Sequence, residues 1–80
     1  MDHIHTLNNI KRGQKVRVLR INGNDFALKQ RLLDMGITSG VTITLNKVAP
    51  LGDPICIELR GYRLLVRKDD VRDVEIEVIK

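Results

Sequence analysis

Leu32-Leu33-Asp34-Met35-Gly36-Ile37-Thr38-Ser39-Gly40 is the stretch in which the chain changes from one kind of secondary structure to another. Upstream of Gly36, Leu28, Leu32 and Met35 fall on one face at about 100° per residue, the spacing of an amphipathic helix. Gly36 stands where such a helix stops, because a left-handed residue there needs no Cβ. Ile37 follows at the position from which a Schellman motif sends an apolar contact back to Leu32. Thr38-Ser39-Gly40 reads as a second tight turn. Val41, Ile43 and Leu45 then alternate with Thr42, Thr44 and Asn46, as a half-buried strand does. The stretch is therefore a helix end, a glycine stop, a turn and a strand start.

Upstream, Lys15-Val16-Arg17-Val18 alternates as a strand, but the phase slips at Leu19-Arg20-Ile21. A bulge or bend at Leu19 or Arg20 repairs it. Asn22-Gly23-Asn24 is a turn, and Asn24 or Asp25 caps the helix. Phe26 and Leu33 form a flank beside its inward face. Either the segment carrying Leu7 and Ile10 covers this flank, which is the expectation, or part of it is left for a partner. Residues 1–5 read as a flexible N-terminal tail. Thr6 to Gly13 reads as a helical turn capped by Thr6, with Leu7 and Ile10 sealing one end of a barrel.

Downstream, Ala49-Pro50-Leu51-Gly52-Asp53-Pro54 must be a loop, since two prolines and a glycine do not fit a central strand. Ile55-Cys56-Ile57-Glu58-Leu59 and Tyr62-Arg63-Leu64-Leu65-Val66 form a hairpin around Arg60-Gly61. Residues 67–72 are a short 3₁₀ connection, and Val74, Ile76 and Val78 alternate with Asp73, Glu75 and Glu77. The expectation is a mainly β domain over residues 6–80: a small SH3-like barrel of about five strands, with one helix inserted after the first strand.

Eighty residues with 42% hydrophobic content suffice for one small core, and the single cysteine, Cys56, excludes an intrachain disulfide. With no signal peptide and no apolar run long enough to span a bilayer, the chain is expected to be soluble, cytoplasmic and not inserted in a membrane. The net charge of +4 is unevenly spread. Lys11, Arg12, Lys15, Arg17, Arg20, Lys29 and Arg31 face only Asp25 in their segment, whereas acids dominate residues 69–77. Strand faces that attract one another across the sheet are the simpler reading, and a basic patch for nucleic acid or an acidic partner is the sharper one.

Catalysis has little support. Cys56 lies in a strand, where it serves as a small packing residue, and Asp69-Asp70 lie in an exposed turn that leaves them solvated. No phosphate-binding loop exists. His3 and His5 lack further ligands nearby, so no metal site and no cofactor are expected. Phe26 and Tyr62 are the only aromatics. That denies single-stranded nucleic acid a stacking platform and proline-rich peptides an aromatic groove. A nucleic-acid-binding or transcription-regulator-type domain is nonetheless the alternative function.

Leu32-Leu33-Asp34-Met35-Gly36-Ile37-x-x-Gly40-x-x-Ile43, followed by Ala49-Pro50-Leu51-Gly52-Asp53-Pro54-Ile55, resembles the FeoA family, the small cytoplasmic component of bacterial ferrous iron uptake. The likeness runs from Leu7 and Gly13 to the closing Val74–Val78 strand. The SH3-like C-terminal domain of DtxR-type repressors is the main lookalike. The resemblance implies a non-enzymatic accessory protein that binds the FeoB membrane permease through its cytoplasmic GTPase domain. Leu33, Met35, Leu51, Asp53 and Tyr62 are the candidate partner contacts, with Leu51 at a loop tip either as docking residue or as a lid folded onto the barrel. Exposed edge strands leave room for self-association.

Overall fold

Val16, Val18, Ile43, Leu45, Ile55, Ile57, Leu59, Val66, Val74 and Ile76 all point into one cluster, joined by Leu7, Leu32, Ile37, Val41 and Val71. A sheet whose strands all bury the same side in one cluster has to curl around it. The structure, a computed structural model, describes residues 5–79. Its strands are β1 (His5–Thr6), β2 (Lys15–Ile21), β3 (Thr42–Val48), β4 (Ile55–Leu59), β5 (Tyr62–Val66) and β6 (Val74–Ile79), with helix α1 (Phe26–Asp34) between β2 and β3. They form one antiparallel sheet in the order β1-β6-β2-β3-β4-β5. The expected SH3-like barrel with one inserted helix is what forms.

Three details differ from expectation. There are six strands, because His5 and Thr6 pair with Ile76 and Glu75 rather than ending a tail. Thr6 does not cap the 3₁₀ turn Leu7–Asn9 through its side chain. Its hydroxyl donates to Asn8 Oδ1 instead. A second register shift, between Leu45 and Lys47, was not foreseen. The foreseen one lies between Val18 and Arg20, and it returns Ile21 to the core side.

The charge asymmetry resolves across the sheet. Basic β2 lies beside acidic β6, where Arg17 stands 3.7 Å from Glu77 and Arg20 pairs with Glu75. The Arg17–Glu77 pair is exposed on both sides and contributes about 0.2–1 kcal/mol, whereas the Glu75 side chain is mostly covered.

Helix α1 begins where Asp25 Oδ1 accepts the Leu28 N–H at 3.0 Å, the capping bond that satisfies an otherwise orphaned donor. It ends in a Schellman motif: the Ile37 N–H donates to the Leu32 carbonyl at 2.9 Å and the Gly36 N–H to that of Leu33 at 3.0 Å. Leu32 is buried, and Leu28 and Met35 pack against the core. The Leu7 segment seals the barrel but does not reach the other flank. Phe26 remains 78% exposed and Leu33 44%.

Candidate functional site

The five candidate residues do not form one surface. Four of them separate to the two ends of the β4–β5 hairpin, Met35 and Tyr62 at one and Leu51 and Asp53 at the other. At the Arg60-Gly61 end, the Tyr62 hydroxyl donates to the Met35 carbonyl. A Cβ placed on Gly36 would stand 2.6 Å from the Tyr62 Oη and 3.6 Å from Leu59 Cδ1. The absence of a side chain at Gly36 thus admits the tyrosine as well as the positive φ of 94°. Met35, Gly36 and Tyr62 form a latch between helix and sheet, and their polar atoms are already engaged.

At the other end, Ala49 donates its N–H to the Pro54 carbonyl at 3.0 Å and closes the loop. Asp53 is exposed, and part of its carboxylate is engaged within the chain. Its Oδ1 accepts the Lys68 N–H at 2.9 Å and ties the loop to the 3₁₀ turn Lys68–Val71. Leu51 touches almost nothing and is 97% exposed, so it is not a lid. Beside it runs a groove of about 310 Å³ lined by Lys47, Val48, Pro50, Pro54, Cys56 and Leu65. Cys56 and Leu65 are cross-strand partners on the outer face.

Leu33 belongs to a third place. A groove of about 340 Å³ lies between α1 and the end of β2, lined by Leu19, Arg20, Ile21, Lys29, Leu33 and Ser39. Ser39 Oγ donates to the Leu19 carbonyl at 2.9 Å and braces its wall. Its floor is apolar; of the two cations on its rim, Arg20 is paired with Glu75 and Lys29 has no ion-pair partner among the described residues.

Four exposed apolar residues, Phe26, Val48, Leu65 and Val78, were not singled out from the sequence as contacts, and Phe26 and Leu65 are the most exposed of them. Phe26 was placed on a flank expected to be covered. Leu65, 72% exposed, was legible from period-2 parity, since Leu64 and Val66 flank it and Val66 is buried. As for metals, no group of three or more His, Cys, Asp or Glu ligands gathers among the described residues. His5 is exposed on β1, and His3 lies outside the described residues.

Comparison with known proteins agrees with this architecture. A model of the FeoA domain matches residues 5–78. A Porphyromonas gingivalis fusion of Fe(2+) transport protein A with Fe(2+) transporter FeoB is 32% identical over 73 residues, 91% of this chain and 8% of that protein. The NMR structure of a FeoA-like protein from Clostridium acetobutylicum matches with a TM-score of 0.88 at 36% identity, covering 100% of this chain and 92% of that one. A zinc-complexed FeoA from Stenotrophomonas maltophilia, described as a prokaryotic SH3 domain protein, matches with a TM-score of 0.80 over 91% of this chain and 89% of that one. At 18% identity that likeness is one of fold.

Proposed function

The chain belongs to the FeoA domain family, and from that premise we propose that it is a non-enzymatic accessory component of ferrous iron transport that binds a FeoB-type transporter. The fused relative supports the pairing, because a covalent link holds two modules at high effective concentration. On this reading the chain works in the cytoplasm beside the transporter's soluble GTPase portion. Among the described residues no helix is long and apolar enough to cross a membrane.

The observation that carries the binding role is the uncovered flank of α1. Phe26 and Leu33, seven positions apart, lie on the same side of the helix, and Leu33 lines a groove rimmed by Arg20 and Lys29. A partner segment that places apolar side chains in the groove and a carboxylate against Lys29 fits it. Retention of the solubilised transporter by the immobilised chain is the test. The combined Phe26→Ser and Leu33→Asp substitutions are expected to weaken binding at least tenfold while the fold persists, because both side chains are exposed. Undiminished retention would remove the α1 flank from consideration.

A further inference from the structure

The Arg60-Gly61 turn has positive φ at both residues, 51° and 83°, and Leu59 and Tyr62 close it as a cross-strand pair. That is the two-residue type I′ hairpin, whose closing pair exchanges both main-chain hydrogen bonds. Bonded and non-bonded pairs then alternate along the ladder. Tyr62, Leu64 and Val66 turn their N–H and C=O groups toward Leu59, Ile57 and Ile55 of β4. Arg63 and Leu65 turn theirs the other way. β5 is the last strand of the sheet, so no strand lies beyond these four groups. Among the described residues none of the four has a hydrogen-bond partner.

The edge is open in side chains as well. Leu65 is 72% exposed and the Arg63 side chain 65%. Lys47, Cys56 and Leu65 form one outer-face row across β3, β4 and β5, and that row lines the groove of about 310 Å³. A strand added beyond β5 would continue the row with one more side chain beside Leu65.

Charge selects what can be added. From Ile55 to Lys68 the cations Arg60, Arg63, Arg67 and Lys68 meet a single acid, Glu58. Glu58 stands 3.6 Å from the Arg63 Nε on the β4 side, and Asp53, which accepts the Lys68 N–H, precedes β4. Arg60, Arg67 and Lys68 have no ion-pair partner among the described residues. Elsewhere in the sheet, basic β2 is laddered to acidic β6, with Arg17 3.7 Å from Glu77. β5 lacks such a neighbour on its free side, and a second copy of the chain cannot supply it. Antiparallel self-pairing about Arg63 opposes that arginine to itself, and about Leu65 it opposes Arg63 to Arg67. Pairing about Leu64 brings Lys68 level with Arg60. Like charges directly opposite one another destabilise a ladder.

We propose that β5 receives an extended acidic segment of a partner protein as a seventh, antiparallel strand. An apolar side chain of that segment lies beside Leu65, and carboxylates lie beside Arg63 and Arg67. The main-chain groups of Arg63 and Leu65 hold the segment, and the cations choose it. Antiparallel addition matches every other ladder in the sheet. The inference stands apart from the transporter reading, and its test uses no transporter.

The probe is the capped peptide Glu-Val-Leu-Val-Glu, whose alternate side chains match Arg63, Leu65 and Arg67. At about 1 mM it is expected to slow hydrogen exchange at the Arg63 and Leu65 amides of the full chain. Methylating the nitrogen of the central leucine removes the donor aimed at the Leu65 carbonyl and should weaken binding at least about tenfold. Methylating either valine, whose N–H points away from β5, should leave binding within about twofold. Lysine in place of both glutamates should weaken binding at least about tenfold, and Arg67→Glu about fivefold. The chain carrying Phe26→Ser and Leu33→Asp should bind the peptide unchanged. Unslowed exchange at Arg63 and Leu65 overturns the proposal. So does equal binding of the lysine peptide, or equal loss from methylation at leucine and at valine.

Discussion

Gly36 and Gly52 have the same backbone conformation, φ +94°, and stand at opposite ends of the β4–β5 hairpin. Their surroundings differ. The missing Cβ of Gly36 is space used by Tyr62, whereas that of Gly52 opens toward the end of one lysine. The first glycine belongs to a junction in which a helix end, a strand and a tyrosine hydroxyl satisfy one another. The second belongs to a loop whose backbone is tied down and whose leucine is left bare. One end of the hairpin is spent on the fold, and the other retains apolar surface for contact.

Substitution at the two glycines breaks this comparison most directly. Gly36→Ala combines left-handed strain with a close approach to Tyr62 and is expected to lower the unfolding free energy by roughly 3 kcal/mol. Gly52→Ala suffers the strain alone, and roughly 1.5 kcal/mol is expected from the same urea titration. Equal losses at the two positions would mean that the tyrosine yields freely. Tyr62→Phe removes the donor to Met35 and should cost about 1 kcal/mol. Because it also removes the atom nearest Gly36, the double variant Gly36→Ala, Tyr62→Phe should lose less than the sum. Leu51→Asn should change stability by no more than about 0.5 kcal/mol, since the side chain buries almost nothing. A larger loss would place Leu51 back among the residues that hold the barrel.

Much of the frame was readable residue by residue. The bulge near Leu19 followed from a slipped alternation, and the Asp25 cap and the glycine stop followed from local sterics and hydrogen-bond demand. The candidate site was less readable. Leu51 was singled out for its position between prolines, and it is indeed bare. Met35, Asp53 and Tyr62 were grouped with it, yet each is engaged within the molecule: Tyr62 reaches Met35 across 27 positions and Asp53 reaches Lys68 across 15. Phe26 failed in the other direction, expected to be covered and found exposed.

Period-2 and period-3.6 patterns, turn residues and caps are properties of neighbouring residues, so the sequence alone determined which faces are apolar, where elements end and that no helix could cross a bilayer. Local chemistry also identified Gly36 as the stop. It carried no information about what would lie against each face, because that depends on the entry of chain segments tens of residues away. Only the tertiary structure decided that Gly36 makes room for Tyr62, that the α1 flank stays open and that Leu51 and Leu65 stay bare beside one groove.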